Sequence, residues 1–122
     1  MILTGEYGIR GEYHKYLDPN WSYYPIYIRK IAIIDSYLKN VPLTTKILDL
    51  GCGEGVLVEK YRKEGRNIIG IDINVENEFV KHGDILNTGE IPSGFDIIMF
   101  LDVIEHLNIL DQKKAMLEIM RI

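Results

Sequence analysis

The stretch KILDLGCGEG, Lys46 to Gly55, decides how this chain folds. Its first half, Lys46 to Leu50, is a short apolar run that suits a strand, and it passes directly into three alternate glycines, Gly51, Gly53 and Gly55. Glycines at such a handover let the backbone turn sharply and let a ligand approach the main chain, with the first N–H groups of the next helix pointing at it. That helix is expected from about Glu54 to Glu64, with Gly65 ending it. NIIGIDI, Asn67 to Ile73, is continuously apolar and suits a parallel strand covered on both faces. EFVKHGDI is a third candidate strand, and FDIIMFLDV, Phe95 to Val103, is a fourth, set off by the turn signals Pro92, Ser93 and Gly94. A last helix is expected from near Asp111, a good N-cap, with Ala115, Met116, Ile119 and Met120 on one side. Buried-type strands in this order predict a layered α/β fold with a parallel sheet.

Upstream the chain changes character. Residues 1–24 carry Tyr7, Tyr13, Tyr16, Trp21, Tyr23 and Tyr24 among glycines and charges, with a period of neither 2 nor 3.6, and are expected to form an aromatic arm. From Pro25 the spacing is helical: Tyr27, Ile31, Ile34 and Leu38 share one face, Pro25 suits a first turn, and Asn40 with Pro42 is a stop signal. The expected organisation is therefore an arm over 1–24 and a ligand-binding domain over 25–122.

Composition narrows the function classes. The chain has 122 residues, 47% hydrophobic and 26% charged, with a net charge of −4, which describes one globular domain. No run approaches the roughly 20 apolar residues of a membrane helix, and the start, MILTGEYGIR, lacks a basic segment followed by an apolar one, so a cytoplasmic location is expected. One cysteine, Cys52, excludes an internal disulfide framework and any multi-thiolate metal site, and no metal is expected. The mild acidity argues against a broad nucleic-acid-binding face. Twenty isoleucines against 2 alanines point to a β-rich core or to an AT-rich coding sequence.

The glycine spacing selects among possible ligands. A GxxxxGK[ST] phosphate loop is absent, and the dinucleotide fingerprint GxGxxG wants a small residue where Val56 stands, which disfavours a nicotinamide oxidoreductase. What remains is D-x-G-x-G-x-G from Asp49. Asp72 follows Gly51 by 21 positions, at the end of the second strand, where a carboxylate can accept hydrogen bonds from both hydroxyls of a ribose; a helix N-cap in a tight turn is the plainer alternative.

On these residues the sequence resembles the class I S-adenosylmethionine-dependent methyltransferases, whose first motif reads [DE]-x-G-x-G-x-G. ILDLGCGEG is similar to that motif, GID (Gly70 to Asp72) to the ribose-holding acid after strand 2, HGDI (His82 to Ile85) to the adenine-reading motif after strand 3, and FDIIMFLDVIEHL to strand 4 and its loop. The resemblance covers roughly residues 46–122 and implies the N-terminal half, about four strands, of a Rossmann-like doubly wound parallel sheet. It implies S-adenosylmethionine as cofactor, bound by Asp49, Gly51, Cys52, Gly53, Asp72, Ile73, Asp84, Ile85 and Leu101. Asp49 would orient the loop or receive the amino group, Asp84 with the Ile85 backbone would read adenine, and Ile73 and Leu101 would be apolar walls. An ordinary turn aspartate is the alternative for Asp84. The expected reaction is methyl transfer to an oxygen, nitrogen or carbon nucleophile of a small-molecule or lipid-like acceptor; a non-catalytic S-adenosylmethionine-binding module is the alternative. His106 is the candidate general base, since histidine is the side chain most often used for proton transfer near neutral pH.

Two departures from the family pattern carry expectations of their own. Only about six residues join Asp72 to the third strand, where a full helix is usual, so the link must be a loop or a single turn. The sequence given stops at Ile122, after four strands in the expected order 3-2-1-4, which leaves strand 4 as an edge. The expectation is a fragment of a longer enzyme, with a homodimer across strand 4 as the alternative.

Overall fold

The structure is a computed structural model that describes residues 18–20 and 22–122. Tyr7, Tyr13, Tyr16 and Trp21 of the expected arm lie outside the described residues. The chain divides between Pro42 and Leu43 into two compact units, so the first helix, grouped by sequence with the residues after it, clusters with the N-terminal unit.

In the N-terminal unit, helix α1 runs Tyr24–Leu38 with proline in its first turn. Its buried residues are Tyr27, Ile31, Ile34 and Leu38, the face that the spacing predicts. Its other positions include the exposed Ile26, Ile33 and Tyr37.

The second unit is a four-stranded sheet. Strands β1 (Lys46–Leu50), β2 (Asn67–Asp72), β3 (Val80–His82) and β4 (Ile97–Met99) lie in the order β3-β2-β1-β4. Each neighbouring pair is parallel: Asp49 sits opposite Gly70 on one side and Met99 on the other, and Asp72 sits opposite His82. This is the order that the family resemblance implies. Strand β1 is central, which explains why Ile47, Leu48, Asp49 and Leu50 are all buried.

Helix α2 spans Val56–Lys63 and buries Val56, Leu57, Val58 and Tyr61. Its outer face carries the ion pairs Lys60–Glu64 and Lys63–Glu59, each at 3.0 Å. It ends in a Schellman motif: with Gly65 at φ 88°, its N–H bonds to the Arg62 carbonyl, and the Arg66 N–H reaches Tyr61. Gly65 thus ends the helix as expected.

Helix α3, Ile109–Arg121, begins earlier than expected, because Asn108 and not Asp111 is its N-cap. The Asn108 carbonyl oxygen accepts from Asp111 N at 2.9 Å while its amide donates to the Asp111 carboxylate at 3.1 Å, a reciprocal cap that uses both residues. The buried face also differs. Ala115, Glu118 and Ile122 are buried and Ile119 packs on the core, whereas Met116 and Met120 are exposed, Met120 at 80%. The face is centred one helical step away from the expected one because a carboxylate, satisfied by hydrogen bonds, takes an inward position. Ile119 and Ile122 pack with Leu48, Leu50, Ile71, Ile85, Phe95 and Ile98 in one cluster.

Residues 73–79 join β2 to β3 with no helix, as the short spacing requires. Asn77 organises this link: its side-chain oxygen accepts from Phe79 N and Val80 N at 2.8 and 2.9 Å, and its amide donates to the Glu54 carbonyl at 3.1 Å. Arg62 ties both β2 and the same link to α2, donating to the Ile68 carbonyl in the strand and to the Glu78 carbonyl in the link. A crossover this short works because β3 pairs only with the last three residues of β2.

Gly70 is the close-packing point between β2 and the elements above it. A Cβ there would sit 2.5 Å from Cys52 Sγ and 2.9 Å from Val58 Cγ2. Gly70→Ala is expected to destabilise the fold by about 1–3 kcal/mol through overpacking, with partial recovery in the double variant with Cys52→Ala. Urea denaturation of the three variants against the parent checks both.

Candidate functional site

The connections after β1, β2, β3 and β4 all leave from the C-terminal edge of the sheet. The chain crosses from one side of β1 to the other between β3 and β4, so the switch point lies between β1 and β4, where open α/β sheets bind their ligands. The loops after these two strands touch there: a Cβ on Gly51 would meet Val103 Cγ2 at 2.6 Å. Gly51 is also at φ 77°, so both conformation and packing require glycine.

The glycine loop is stitched to β2 by its backbone. Gly51 N and Cys52 N donate to the Ile71 carbonyl at 2.7 and 3.3 Å, which carries the strand pairing into the loop. Gly53 N then donates to Asp72 Oδ2 at 2.8 Å. Gly55, at φ 82°, lets Val80 and Phe79 pack against the loop, since a Cβ would lie 2.6 Å from Val80 Cγ2. The Cys52 side chain sits over Gly70, half-buried, with Sγ 3.7 Å from the Gly53 carbonyl.

Asp72 is 8% exposed and its other oxygen, Oδ1, accepts from Asn74 N at 2.8 Å. Each carboxylate oxygen therefore spends one acceptor site on the backbone and keeps another, the acceptor set that a pair of ribose hydroxyls would match as donors. Asp49, 3% exposed, lies in β1 immediately before Leu50 and the loop. Two carboxylates next to glycine-lined backbone suit a ligand whose charge is positive and which carries no phosphate. S-adenosylmethionine has that chemistry.

The remaining expected site residues are more dispersed. Asp84 follows β3 by two positions, and its Oδ1 accepts from Leu86 N at 2.9 Å in a turn closed by Asn87 N to the Asp84 carbonyl at 3.0 Å. Ile85 turns inward and packs against the cluster around Leu50 and Ile71. Ile73 is 48% exposed, and Leu101 is half-buried in the loop after β4. His106 lies in a single 3-10 turn, Ile104–His106, with an exposed ring 3.8 Å from the Glu105 carboxylate. Asp102, before that turn, adopts φ 56°, a left-handed conformation that aspartate tolerates better than most residues.

Sequence reasoning missed a buried anchor beside the Asp84 turn. Glu118 of α3 accepts from Thr88 N at 2.8 Å, Thr88 Oγ1 at 2.6 Å, and the Arg121 guanidinium at 2.7 Å on each oxygen. The signal was there in principle: Glu118 falls between Ala115 and Ile122 on the helical repeat, and Arg121 stands three places after it. The Arg121 hydrogen bonds, reinforced by those from Thr88, outweigh burial and hold the Glu118 carboxyl down to about 2 from 4.5.

Similarity to known proteins agrees with this geometry. The fold and its switch-point loop are those of a Rossmann-like domain, and the chain matches the methyltransferase domain family over residues 22–122. The chain belongs to that family, the S-adenosylmethionine-dependent methyltransferases of Rossmann-like fold. Among its relatives, the ubiquinone biosynthesis O-methyltransferase of Dechloromonas aromatica (strain RCB) is 29% identical, over 77% of this chain and 47% of that protein. The enzyme of the same name from Actinobacillus pleuropneumoniae serotype 7 (strain AP76) is 32% identical, over 83% of this chain and 54% of that protein. The chain spans about half the length of the curated relatives it matches. In fold it is similar to the PH0226 protein from Pyrococcus horikoshii OT3, with a TM-score of 0.70 and 24% identity over 93% of this chain and 61% of that one. A SAM dependent methyltransferase from Archaeoglobus fulgidus follows, with a TM-score of 0.57 and 24% identity over 82% and 53%.

The Glu118 anchor has a defined pH signature. A carboxyl held below its ordinary value contributes stability that is present above about 4.5 and is lost as pH falls through about 2. Glu118→Gln is expected to cost about 1–3 kcal/mol at neutral pH and to flatten the acid side of the stability profile. Denaturant midpoints measured from pH 7 down to pH 2 check both.

Proposed function

We propose that this chain forms the cofactor-binding side of a cytoplasmic S-adenosylmethionine-dependent methyltransferase acting on an oxygen, nitrogen or carbon nucleophile of a small-molecule or lipid-like acceptor. The observation that carries the reading is Asp72, buried at the end of β2, bonded to the glycine loop through Gly53 N and retaining acceptor capacity on both oxygens. The relatives named ubiquinone biosynthesis O-methyltransferases favour an oxygen nucleophile on a quinone-like acceptor. Among the described residues no helix is long and apolar enough to cross a membrane.

In this reading Asp72 takes the ribose hydroxyls, and Asp84 with the Ile85 backbone takes the adenine edge. The backbone of Gly51, Cys52 and Gly53 lines the methionyl part, with Asp49 beneath it to orient the loop or receive the amino group. Ile73 and Leu101 close the sides. When bound, the cofactor supplies a methyl group already activated on a cationic sulfonium. The protein's share is then alignment and exclusion of water, which contribute much of the rate in a displacement of this kind. An acceptor hydroxyl must also lose a proton, and His106, in the loop after β4, is the base offered. The side of β4 away from β1 is where a second copy would add a strand, and a sedimentation coefficient that stays monomeric at rising concentration would remove the dimer.

Calorimetric titration with S-adenosylhomocysteine tests the cofactor reading. Binding is expected, NAD is expected not to compete, and Asp72→Asn is expected to weaken affinity about 10- to 100-fold, the worth of charge-assisted hydrogen bonds of about 1.5–3 kcal/mol. Absence of binding would defeat the proposal. Transfer of label from methyl-labelled S-adenosylmethionine to an extract separates an enzyme from a binding module. Once an acceptor is in hand, His106→Ala is expected to lower the rate by roughly 10²- to 10⁴-fold at neutral pH. An unchanged rate would remove His106 from the chemistry.

A further inference from the structure

The Asp84 turn is held at two ends by different means. At its start, Gly83 N donates to the Asp72 carbonyl at 3.0 Å, so the sheet fixes it. At its far end, Thr88 is fixed by the helix: its N–H and its hydroxyl converge on one oxygen of Glu118, at 2.8 and 2.6 Å. Arg121 grips the same carboxylate and also donates to the Glu90 carbonyl at 2.8 Å, while Glu90 N donates to Thr88 Oγ1 at 3.2 Å. Lys81 of β3 closes the ring by pairing with the Glu90 carboxylate at 2.7 Å. Between the two fixed ends lie only Asp84, Ile85, Leu86 and Asn87.

Cohesion alone is a poor reason for this arrangement. Glu118 stands on the same face of α3 as Ala115, Ile119 and Ile122, and a carboxylate taken out of water there, with its Arg121 partner still exposed, offers little cohesion over a well-packed apolar side chain. What the carboxylate adds is direction. Two donors from one residue on one acceptor set both the backbone and the side chain of Thr88, and so the exit of the turn. Within the turn Asp84 commits Oδ1 to Leu86 N, while Oδ2 takes no donor from the described residues. Any shift of Thr88 would carry Asp84 Oδ2 with it.

We infer that Glu118, through Thr88, is a positioning residue for the adenine end of the cofactor site: it sets where Asp84 presents its second oxygen, and thereby the discrimination between a 6-amino and a 6-oxo purine. The inference rests on the assignment of Asp84 to the adenine edge made above. Glu118 touches no ligand in this arrangement; it acts only through the turn.

The test compares S-adenosylhomocysteine with S-inosylhomocysteine, which carries an oxygen where adenine has its amine, by calorimetry on the full 122-residue chain. The parent is expected to prefer the adenosyl compound by about tenfold, the worth of one hydrogen bond to a carboxylate. In Glu118→Gln and in Thr88→Val, which lacks the hydroxyl, that preference is expected to shrink to about twofold or less. Thr88→Ser keeps both donors and is expected to restore it. Circular dichroism at the titration temperature confirms that each variant is folded, and Thr88→Val decides the matter if Glu118→Gln is not. A variant that weakens both compounds equally, so that the tenfold ratio survives, overturns the inference and leaves Glu118 a structural anchor. A parent that binds both compounds equally overturns the assignment of Asp84 and this inference with it. A parent that binds neither compound defeats the cofactor reading itself.

Discussion

The Ile71 carbonyl is the point at which the sheet becomes a site. Inside β2 it belongs to the parallel ladder, yet its hydrogen bonds go to Gly51 N and Cys52 N, the first two residues past the end of β1. Because those donors are spent on β2, the loop turns over the strand edge instead of away from it, and Gly53 N arrives at the Asp72 carboxylate. The conformation demands positive φ at Gly51, Gly53 and Gly55. Two of these glycines are also packed, Gly51 by Val103 and Gly55 by Val80. The loop is therefore shaped by its neighbours on either side as much as by its own flexibility, and a ligand would meet a backbone already in place.

Electrostatics follows from that placement. Asp49 and Asp72 bring carboxylates to the ends of adjacent strands without a lysine between them, which favours a cationic ligand over a phosphate. The basic residues nearby face elsewhere: Arg62 caps carbonyls of β2 and the following link, and Lys60 and Lys63 pair with glutamates on the outer face of α2. The cations that support the fold are thus kept out of the loop region, and the helix carries its positive charge toward its own C-terminus, where the macrodipole favours it.

The strands and the parallel α/β class were legible because β1, β2 and the glycine loop state their roles locally, in continuous apolar runs, an abrupt glycine cluster and a carboxylate at the right distance, whereas the order β3-β2-β1-β4 was implied by the family resemblance. The buried face of α1 was legible for the same reason, since Tyr27, Ile31, Ile34 and Leu38 follow the helical repeat without interruption. Helix α3 was misjudged where periodicity and polarity disagreed. Its inward face contains Glu118, and a reading that keeps charges outside shifts the face toward Met116 and Met120. The start of α3 was misjudged because Asn108 and Asp111 are both good caps and act as a pair. The longer reach of Asn77 and Thr88 left no sequence signal: beyond its local turn to Phe79 and Val80, Asn77 donates to the remote Glu54 carbonyl, and Thr88 works through the one charged residue on an apolar face.

The short link between β2 and β3 has a consequence for chain entropy. Seven residues, 73–79, do what a crossover of a dozen or more ordinarily does, and closing the shorter loop spares roughly 0.5 kcal/mol of closure entropy. It also makes the contacts of the β2–β3 pair the most local in the sheet, whereas β4 must return to β1 from fifty residues away, Asp96 N meeting the Lys46 carbonyl. Local contacts form early and distant ones late. The Asp72 end of the site thereby lies in the most local part of the topology, while the switch point, where Gly51 meets Val103, depends on the pairing with the greatest sequence separation.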